Sequence, residues 1–302
     1  MTKDSLKFTA QLKLFAAIAI WGGSFIATKI AVSEVSPVTV VWLRFLIGTL
    51  ILGLYAWHQN ELRIPSVKDG LEFLLLGFLG ITLHQWLQSS GLVTSEASTT
   101  SWIVSTSPVF MVILAWLFLK EKLNPSIILG IVVATFGTLL VVSKGDVEGL
   151  ITRGFSNRGD VLILISAINW AVYSILSRPA LQRHSSIKIT FYVSFFGWLL
   201  TCVQFFAGAY WSECNQLSAS GWVSIIFLGI FCSAISYIFY NDGLQVLPAS
   251  QVGAFLYLEP LVTTLVAAFL LREQIVLATL AGGAFILLGL WLVNRRDALL
   301  PE

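Results

Sequence analysis

Charged residues are scarce in this sequence. Lysine and arginine number 18 and aspartate and glutamate 16 among 302 residues, so 11% of the chain is charged, against roughly 25% in a typical soluble domain. Hydrophobic residues make up 57%, and the mean hydropathy is +0.85. A soluble domain is therefore excluded, and we expect a lipid bilayer around the chain. The formal net charge of +2 gives no basis for a nucleic-acid partner.

Cysteine and histidine are also rare. Cys202, Cys214 and Cys232 are far apart in the sequence, and two of them fall within apolar segments, so neither a disulfide framework nor a metal site is predicted. The sequence contains no G-x-S-x-G motif, no H-E-x-x-H motif and no pair of acids within one apolar segment. We therefore expect no cofactor and no metal, and an intramembrane enzyme is the remotest of the functional alternatives.

Long apolar runs are what the sequence has in abundance. A helix that crosses a bilayer needs about 20 mainly apolar residues, and short polar connections separate ten such runs. We predict spans at 12–31, 37–57, 70–88, 96–119, 125–143, 160–180, 187–208, 221–241, 248–271 and 276–294. The first run is longer than a signal-peptide core and no cleavage site follows it, so it is predicted to be a spanning helix. Ser36-Pro37 and Asn124-Pro125 are predicted helix starts.

Lysine and arginine are distributed unevenly between the connections. With the first residues in the cytoplasm, twelve lie on the cytoplasmic side, five lie outside and Arg44 falls within a span. Membrane proteins favour such an excess on the cytoplasmic side. Since the number of spans is even, both termini are predicted to face the cytoplasm.

An internal repeat divides the chain into two halves. A shift of 152 residues aligns the segment from residue 91 with the segment from residue 243 without a gap, and a shift of 149 residues aligns the segments upstream. The matched pairs include Trp21 and Trp170, Gly48 and Gly197, Gly91 and Gly243, Pro108 and Pro260, Gly130 and Gly282, and Gly137 and Gly289. Five spans per copy make the second copy enter the membrane from the opposite side, as in many transporters. The predicted fold is all-α integral membrane, with ten transmembrane helices as two inverted five-helix repeats, 1–148 and 149–302, around a central cavity.

Polar side chains within the apolar runs are candidates for a site between the repeats, because lipid offers them no hydrogen-bond partner. In the sixth span they recur every four residues, and the repeat aligns two of them with polar positions of the first span. The predicted site residues are Ser24, Thr28, His84, Gln85, Gln88, Ser101, Ser105, Asn169, Tyr173, Ser177, Tyr237, Tyr240, Tyr257 and Glu259. The alternative roles are bonds to the backbone for the serines and Thr28, and packing for the tyrosines.

Glu259 and Pro260 stand side by side in the ninth span. An ionised carboxylate at such depth costs several kcal/mol, which makes Glu259 a functional candidate. Its alternative roles are contact with an amino group of the substrate and transport of a coupling proton. Pro260 is expected to kink the helix, as Pro108 does in the fourth span, and to free the carbonyl of Leu256 toward a ligand. Arg44 is predicted to anchor helices or to reach the membrane interface rather than to bind substrate.

Several motifs together resemble the EamA-type members of the drug/metabolite transporter superfamily. The resemblance covers essentially the whole chain, and its motifs are IAIWGGSFIATKIA (18–31), PVTVVWLRF (37–45), SPVF, EPLV, Lys120-Glu121 and Arg272-Glu273. It implies a ten-helix fold with a central cavity, usually in a bacterial inner membrane, and commonly export of amino acids, related metabolites or drugs. We expect a small-molecule exporter that works by alternating access or facilitated diffusion. The alternative is a phosphate-ester or nucleotide-sugar exchanger, which needs several lysines or arginines at the cavity.

Overall fold

The computed structural model describes residues 3–121, 124–143, 145, 158–271 and 277–294. Within these ranges the chain forms helices and no β-strand. The helices are α1 (Lys3–Val32), α2 (Pro37–His58), α3 (Val67–Thr94), α4 (Ala97–Val104 and Ser107–Leu119), α5 (Pro125–Val142), α6 (Arg158–Arg183), α7 (Ser186–Ala207), α8 (Ala219–Val246), α9 (Ala249–Phe255, Leu256–Leu258 and Glu259–Leu271) and α10 (Leu277–Asn294). A short 3₁₀ helix, Tyr210–Gln216, joins α7 to α8.

Most of these helices are long and apolar enough to cross a bilayer. Eight reach that length among the described residues, and α5 and α10 contain the shorter apolar stretches Pro125–Gly137 and Leu280–Val293. The prediction of an all-α integral membrane protein is therefore confirmed. Every predicted span falls on one helix, but α1, α3, α6 and α8 run several residues beyond the predicted ends. Gly91 in α3 and Gly243 in α8 lie within these extensions without ending the helix.

Two predicted helix starts follow from local cap chemistry. The Oγ of Ser36 accepts a hydrogen bond from the backbone N–H of Thr39 at 3.3 Å, and Pro37 occupies the first helical position. The Oδ1 of Asn124 accepts one from the N–H of Ile127 at 2.8 Å. Both caps satisfy a donor that the first turn of a helix leaves unpaired. The starts of α2 and α5 are therefore confirmed.

Proline interrupts α4 and α9 at positions that the repeat aligns. The first segment of α4 ends at Val104, ahead of Pro108, and a 3₁₀ turn at Leu256–Leu258 precedes Pro260. Proline removes one backbone bond and its ring crowds the carbonyl four residues earlier. Both helices are therefore interrupted where the kinks were predicted. The predicted free carbonyl of Leu256 is wrong, because this oxygen accepts the N–H of Glu259 within the 3₁₀ turn.

The closest helix contacts occur at glycines and come in matched pairs. A Cβ on Gly48 would lie 3.2 Å from the carbonyl oxygen of Gly229, and one on Gly197, its repeat partner, would lie 2.7 Å from that of Gly77. The repeat aligns Gly77 with Gly229 as well. The α2–α8 contact therefore recurs as the α7–α3 contact.

A second glycine set joins α5 to α10. A Cβ on Gly130 would lie 2.7 Å from the carbonyl oxygen of Gly289, and one on Gly137 would lie 2.6 Å from that of Gly282. Residue numbers rise along α5 while they fall along α10, so the two helices pack antiparallel. Only a hydrogen atom in place of a side chain permits this approach.

Candidate functional site

A cavity lies where α1, α2, α3, α4, α6, α8 and α9 meet. Its lining residues are Trp21, Ser24, Arg44, His84, Gln85, Gln88, Val104, Trp170, Tyr237, Leu256 and Glu259. The space open to the centres of water molecules is ≈ 30 Å³, which is room for about two waters. A metabolite the size of an amino acid therefore does not fit in this cavity unless the helices move apart.

Glu259 presents an unpaired carboxylate to this cavity. The residue is only 4% exposed, and no described residue donates a hydrogen bond or forms a salt bridge to its carboxylate. Its backbone carbonyl accepts a hydrogen bond from the Oγ1 of Thr263 at 3.0 Å. A buried, uncompensated carboxylate costs free energy, and such groups in membrane helices mark functional sites.

Arg44 lies at the cavity within a hydrogen-bond network, at 2% exposure. Its Nε donates to the Oγ of Ser233 at 3.0 Å, and its Nη1 donates to the Oε1 of Gln85 at 2.8 Å. Gln85 in turn donates from Nε2 to the Oη of Tyr237 at 3.0 Å. The prediction that Arg44 anchors helices is confirmed, because these bonds join α2 to α3 and α8. Its alternative, a side chain that reaches the interface, is wrong, since acceptors on neighbouring helices hold the guanidinium inside.

Two π-helical segments border the cavity, Phe78–Leu83 in α3 and Leu228–Ile235 in α8. Their carbonyl oxygens accept hydrogen bonds from side chains of other helices. The bonds run from Tyr237 Oη to Gly80 at 3.1 Å, from Asn169 Nδ2 to Leu79 at 2.7 Å and from Trp21 Nε1 to Cys232 at 3.0 Å. Such π segments break the regular bond ladder and are frequent at functional sites.

Aromatic rings form much of the cavity wall. The ring centroids of Trp21 and Trp170 lie 5.4 Å apart at 88°, and Tyr237 contacts Trp21 at 5.5 Å. His84 lies against Trp170 at 4.8 Å, and its Nδ1 is 3.1 Å from the carbonyl oxygen of Ser166. Because a carbonyl only accepts, Nδ1 carries the proton, and Nε2 of the neutral ring is an acceptor.

Six of the predicted site residues line the cavity: Ser24, His84, Gln85, Gln88, Tyr237 and Glu259. The other eight are buried elsewhere: Thr28, Ser101, Ser105, Asn169, Tyr173, Ser177, Tyr240 and Tyr257. Ser105 and Ser177 donate to carbonyl oxygens of their own helices at 3.0 and 3.1 Å. The Oη of Tyr257 lies 3.0 Å from the Oγ1 of Thr135, on the side of α9 that faces α5.

Tyr240 and Tyr173 pack behind the cavity wall. The Oη of Tyr240 lies 2.7 Å from the Oγ of Ser174. A Cβ on Gly80 would lie 2.6 Å from the ring of Tyr173, so this tyrosine fits against the π segment of α3. Of the polar residues that the repeat matches between α1 and α6, only Ser24 lines the cavity in the part of the chain that the structure describes.

Five lining residues are absent from the predicted set: Trp21, Arg44, Val104, Trp170 and Leu256. The repeat pairs the two tryptophans, and this was the signal that could have placed them at the centre. Arg44 is a charge within a spanning helix, which is itself a reason to expect function. The repeat aligns Val104 with Leu256 in the same way, but their apolar side chains resemble their neighbours and carry no polar signal.

Lys29 and Arg178, on the cavity-lining helices α1 and α6, bind to groups outside the cavity. Lys29 donates from Nζ to the carbonyl oxygens of Leu92 at 2.6 Å and Ser95 at 2.7 Å, at the end of α3. Arg178 pairs with Glu121 at 2.7 Å. Within the described chain Arg44 is therefore the only lysine or arginine that lines the cavity.

Glu121 caps the start of α9. Its carboxylate accepts the backbone N–H of Ala249 at 2.8 Å, at the start of α9, in addition to the pair with Arg178. The repeat aligns the Lys120-Glu121 motif with Arg272-Glu273, which lies outside the described residues.

Comparison with known proteins gives one consistent result. The profile of the EamA-like transporter family matches residues 9–143 and 157–295. An "Uncharacterized transporter" of Archaeoglobus fulgidus is 27% identical over 287 residues, which cover 95% of this chain and 98% of the relative. A "Probable terminal-alkyne amino-acid exporter" of Streptantibioticus cattleyicolor is 26% identical and is covered to 92%, over 94% of this chain. A solved crystal structure shares the fold with a TM-score of 0.76 at 19% identity, over 94% of this chain and 98% of that chain.

Proposed function

The chain belongs to the EamA-like transporter family, and from this premise we propose that it exports small zwitterionic or amphipathic metabolites, amino acids among them, through the central cavity. Its lipid environment follows from the apolar helices, and a small-molecule substrate follows from the family. The relative named as an amino-acid exporter supports the substrate class. A bacterial inner membrane is the proposed location.

The observation that carries this proposal is the carboxylate of Glu259. It is buried in the cavity without a salt bridge to any described residue, and a substrate amino group would supply a bonded partner of opposite charge. A phosphate-ester substrate is disfavoured, because it would face this carboxylate with Arg44 as the one arginine or lysine that the described chain supplies to the cavity. Transport rather than catalysis agrees with the family.

We propose that the chain forms two inverted repeats of five helices. Trp21 contacts its repeat partner Trp170, and Gln85 donates to its repeat partner Tyr237. A residue meets its own counterpart only near a twofold axis. The antiparallel packing of α5 on α10, with exchanged glycine contacts, supports the same axis. Its place between the repeats makes the cavity a shared site.

The small cavity supports alternating access over a permanent pore. Four of the helices that line it are irregular: α4 and α9 are broken ahead of a proline, and α3 and α8 contain π segments. Such interruptions are where a helix bends. We propose that movement of one repeat against the other opens the cavity to each side in turn, with both termini in the cytoplasm. A reporter fused after Glu302 that is active only outside the cell would overturn this topology.

A counterflow assay with purified protein in proteoliposomes tests the function. The candidate classes are amino acids, nucleobases and phosphorylated sugars, each preloaded and exchanged against a radiolabelled counterpart. We expect exchange of amino acids, with protein-free liposomes as the control. Exchange of phosphorylated sugars alone would contradict the proposal and favour the phosphate-ester reading, and exchange of none of the three classes would leave the proposed substrates without support.

A further inference from the structure

We propose that the cavity is a two-point site for a zwitterion, in which Arg44 binds the carboxylate of the substrate and Glu259 binds its ammonium group. This inference rests on the proposed function and names the chemistry of its site. Both residues line the same cavity, one from α2 and the other from α9.

The guanidinium of Arg44 is oriented by the protein and still has donors to offer. Its described bonds use Nε, toward Ser233, and Nη1, toward Gln85. Its Nη2 has no hydrogen-bond partner among the described residues. An arginine carries five N–H donors in a planar fork that matches a carboxylate. With two bonds fixing the plane, Nη2 would bind a carboxylate in the cavity without further ordering of the side chain.

The two charges of the cavity do not neutralise each other directly. No salt bridge joins Arg44 to Glu259 within the part of the chain that the structure describes, although both side chains are buried. Each charge therefore lacks a bonded counter-ion, which is costly in a site without bulk water. A zwitterion supplies one charge of each sign and leaves the occupied site neutral. A simple amine or a simple acid compensates only one of them.

The repeat shows that both charges are additions to a common scaffold. The position of Arg44 in the second repeat is occupied by Val193, and that of Glu259 in the first repeat is occupied by Ser107. The glycines, the prolines and the tryptophans around the cavity are matched, whereas the two charges are not. The cavity thus takes its basic side chain from one half of the chain and its acidic side chain from the other.

The apolar part of the wall indicates where the rest of such a substrate lies. Val104, Leu256 and the rings of Trp21 and Trp170 complete the lining, and they suit an aliphatic or aromatic side chain. L-Leucine is therefore the probe, and L-leucinamide and N-acetyl-L-leucine are its matched analogues. The first analogue removes the carboxylate charge, and the second removes the ammonium charge.

Competition in the leucine counterflow assay tests the inference on the unmodified protein. We expect L-leucinamide and N-acetyl-L-leucine each to compete about ten- to a hundredfold more weakly than L-leucine, the usual effect of losing one charge-assisted bond. Equal competition by either analogue would overturn the two-point site while leaving transport intact. Absence of exchange for every substrate class would instead count against the proposed function itself.

Two variants assign the two ends. Arg44→Gln should strongly reduce the apparent affinity for L-leucine and change that for L-leucinamide little. Glu259→Gln should strongly reduce the apparent affinity for L-leucine and change that for N-acetyl-L-leucine little. Ser233→Ala keeps the charge of Arg44 and removes one bond that orients it. This variant replaces Arg44→Gln if the latter fails to fold, and it should reduce the affinity for L-leucine more than that for L-leucinamide. If each variant reduces the affinity for all three ligands equally, Arg44 and Glu259 do not bind the carboxylate and ammonium groups of the substrate, and the assignment is wrong. If Glu259→Gln abolishes only the response to a pH gradient, Glu259 carries a proton instead.

Discussion

Glu259 is the single side chain on which transport should depend most. Replacement by glutamine keeps the size of the side chain and removes its charge. We expect Glu259→Gln to fold normally and to lower the apparent affinity for an amino-acid substrate about ten- to a hundredfold, because one charge-assisted bond is lost. The measurement is counterflow in proteoliposomes. Glu96→Gln is the matched control, since Glu96 is exposed at the start of α4 and makes no side-chain cap bond.

The pH response separates the two roles of this carboxylate. A ligand contact leaves the wild-type rate largely independent of a pH gradient, whereas a proton carrier titrates during each cycle and makes the rate depend on the gradient. A Glu259→Gln protein with unchanged affinity, rate and pH response would leave this residue a structural role only. The site would then have to be built from Arg44, His84 and the aromatic rings.

The sequence predicted those site residues whose polar side chains have no partner within their own helix. Glu259 and Gln85 stand out as polar groups within apolar runs, and both line the cavity. Ser105 and Ser177 stand out in the same way, but each can bond to a carbonyl of its own helix, and no sequence pattern tells the two outcomes apart. The direction of Arg44 depends on Ser233, which a distant part of the chain supplies.

Glycines set how closely the helices pack. A Cβ on Gly197 would lie 2.7 Å from the carbonyl oxygen of Gly77 and would also meet the side chain of Ile81. We expect Gly197→Ala to lower the free energy of unfolding by about 1–3 kcal/mol, because α7 and α3 must separate. Thermal unfolding in detergent measures it. Gly70→Ala is the control: nothing lies within 4 Å of its Cβ position, and alanine should stabilise this helix by up to about 1 kcal/mol. Similar midpoints for both variants would contradict the close packing.

Two connecting loops exchange acidic caps. Glu34, between α1 and α2, accepts the N–H of Ser218 at 2.8 Å, at the start of α8. Glu213, between α7 and α8, accepts the N–H of Ser36 at 2.9 Å and the Oγ1 of Thr39 at 2.6 Å, at the start of α2. Hydrogen bonds from Ser218 lower the pKa of Glu34. Burial raises the pKa of Glu213, but the bonds from Thr39 and Ser36 outweigh it and the net change is a lowering.

The caps predict a pH-dependent contribution to stability. A lowered pKa in the folded state means that the contribution is fully present above the usual value of 4.5 and is lost as the pH falls through the lowered value. We expect Glu213→Gln to lower the free energy of unfolding by about 0.5–1 kcal/mol at pH 7, and the difference from wild type should vanish in acid. Thermal unfolding between pH 7 and acidic pH measures it. A difference that persists unchanged in acid would show that the charge of Glu213 does not matter.

At the scale of helices, the features that depend on a few adjacent residues could be predicted, and those that depend on packing between helices could not. The starts at Ser36-Pro37 and Asn124-Pro125 and the breaks near Pro108 and Pro260 each follow from a few adjacent residues. The π segments of α3 and α8 were not predicted. No residue type specifies a π turn, and in α3 the segment fits Gly80 against the ring of Tyr173 on another helix.

At the scale of the whole molecule, the repeat aligns residues that contact each other in the structure, although the contacts themselves were not predicted. The alignment of Trp21 with Trp170 and of Gln85 with position 237 came from sequence alone, and in the structure each of these pairs meets. The small volume of the cavity in this state was not predictable. Two states of a transporter share one sequence, and their difference in free energy depends on many small contacts.

Alternating access makes a prediction that a fixed pore does not. The space of ≈ 30 Å³ at Ser24 is too small for a thiol reagent, so a cysteine there can react only when the cavity opens. In a protein whose three native cysteines are replaced by alanine, we expect Ser24→Cys to react with a membrane-impermeant reagent in right-side-out and in inverted vesicles, because each side is opened in turn. An excess of transported amino acid should slow the reaction by occupying the site.

Ser177→Cys is the matched control for this labelling. Ser177 is fully buried in α6 and bonds to its own helix, although the polar pattern places it on the same stripe as Asn169. We expect little reaction there from either side. Reaction of Ser24→Cys from one side only would favour a cavity with a single entrance over exchange between two open states. Equal and rapid reaction at both positions would mean that the path of the substrate follows the whole polar stripe of α6, and the site would extend well beyond the residues that line the closed cavity.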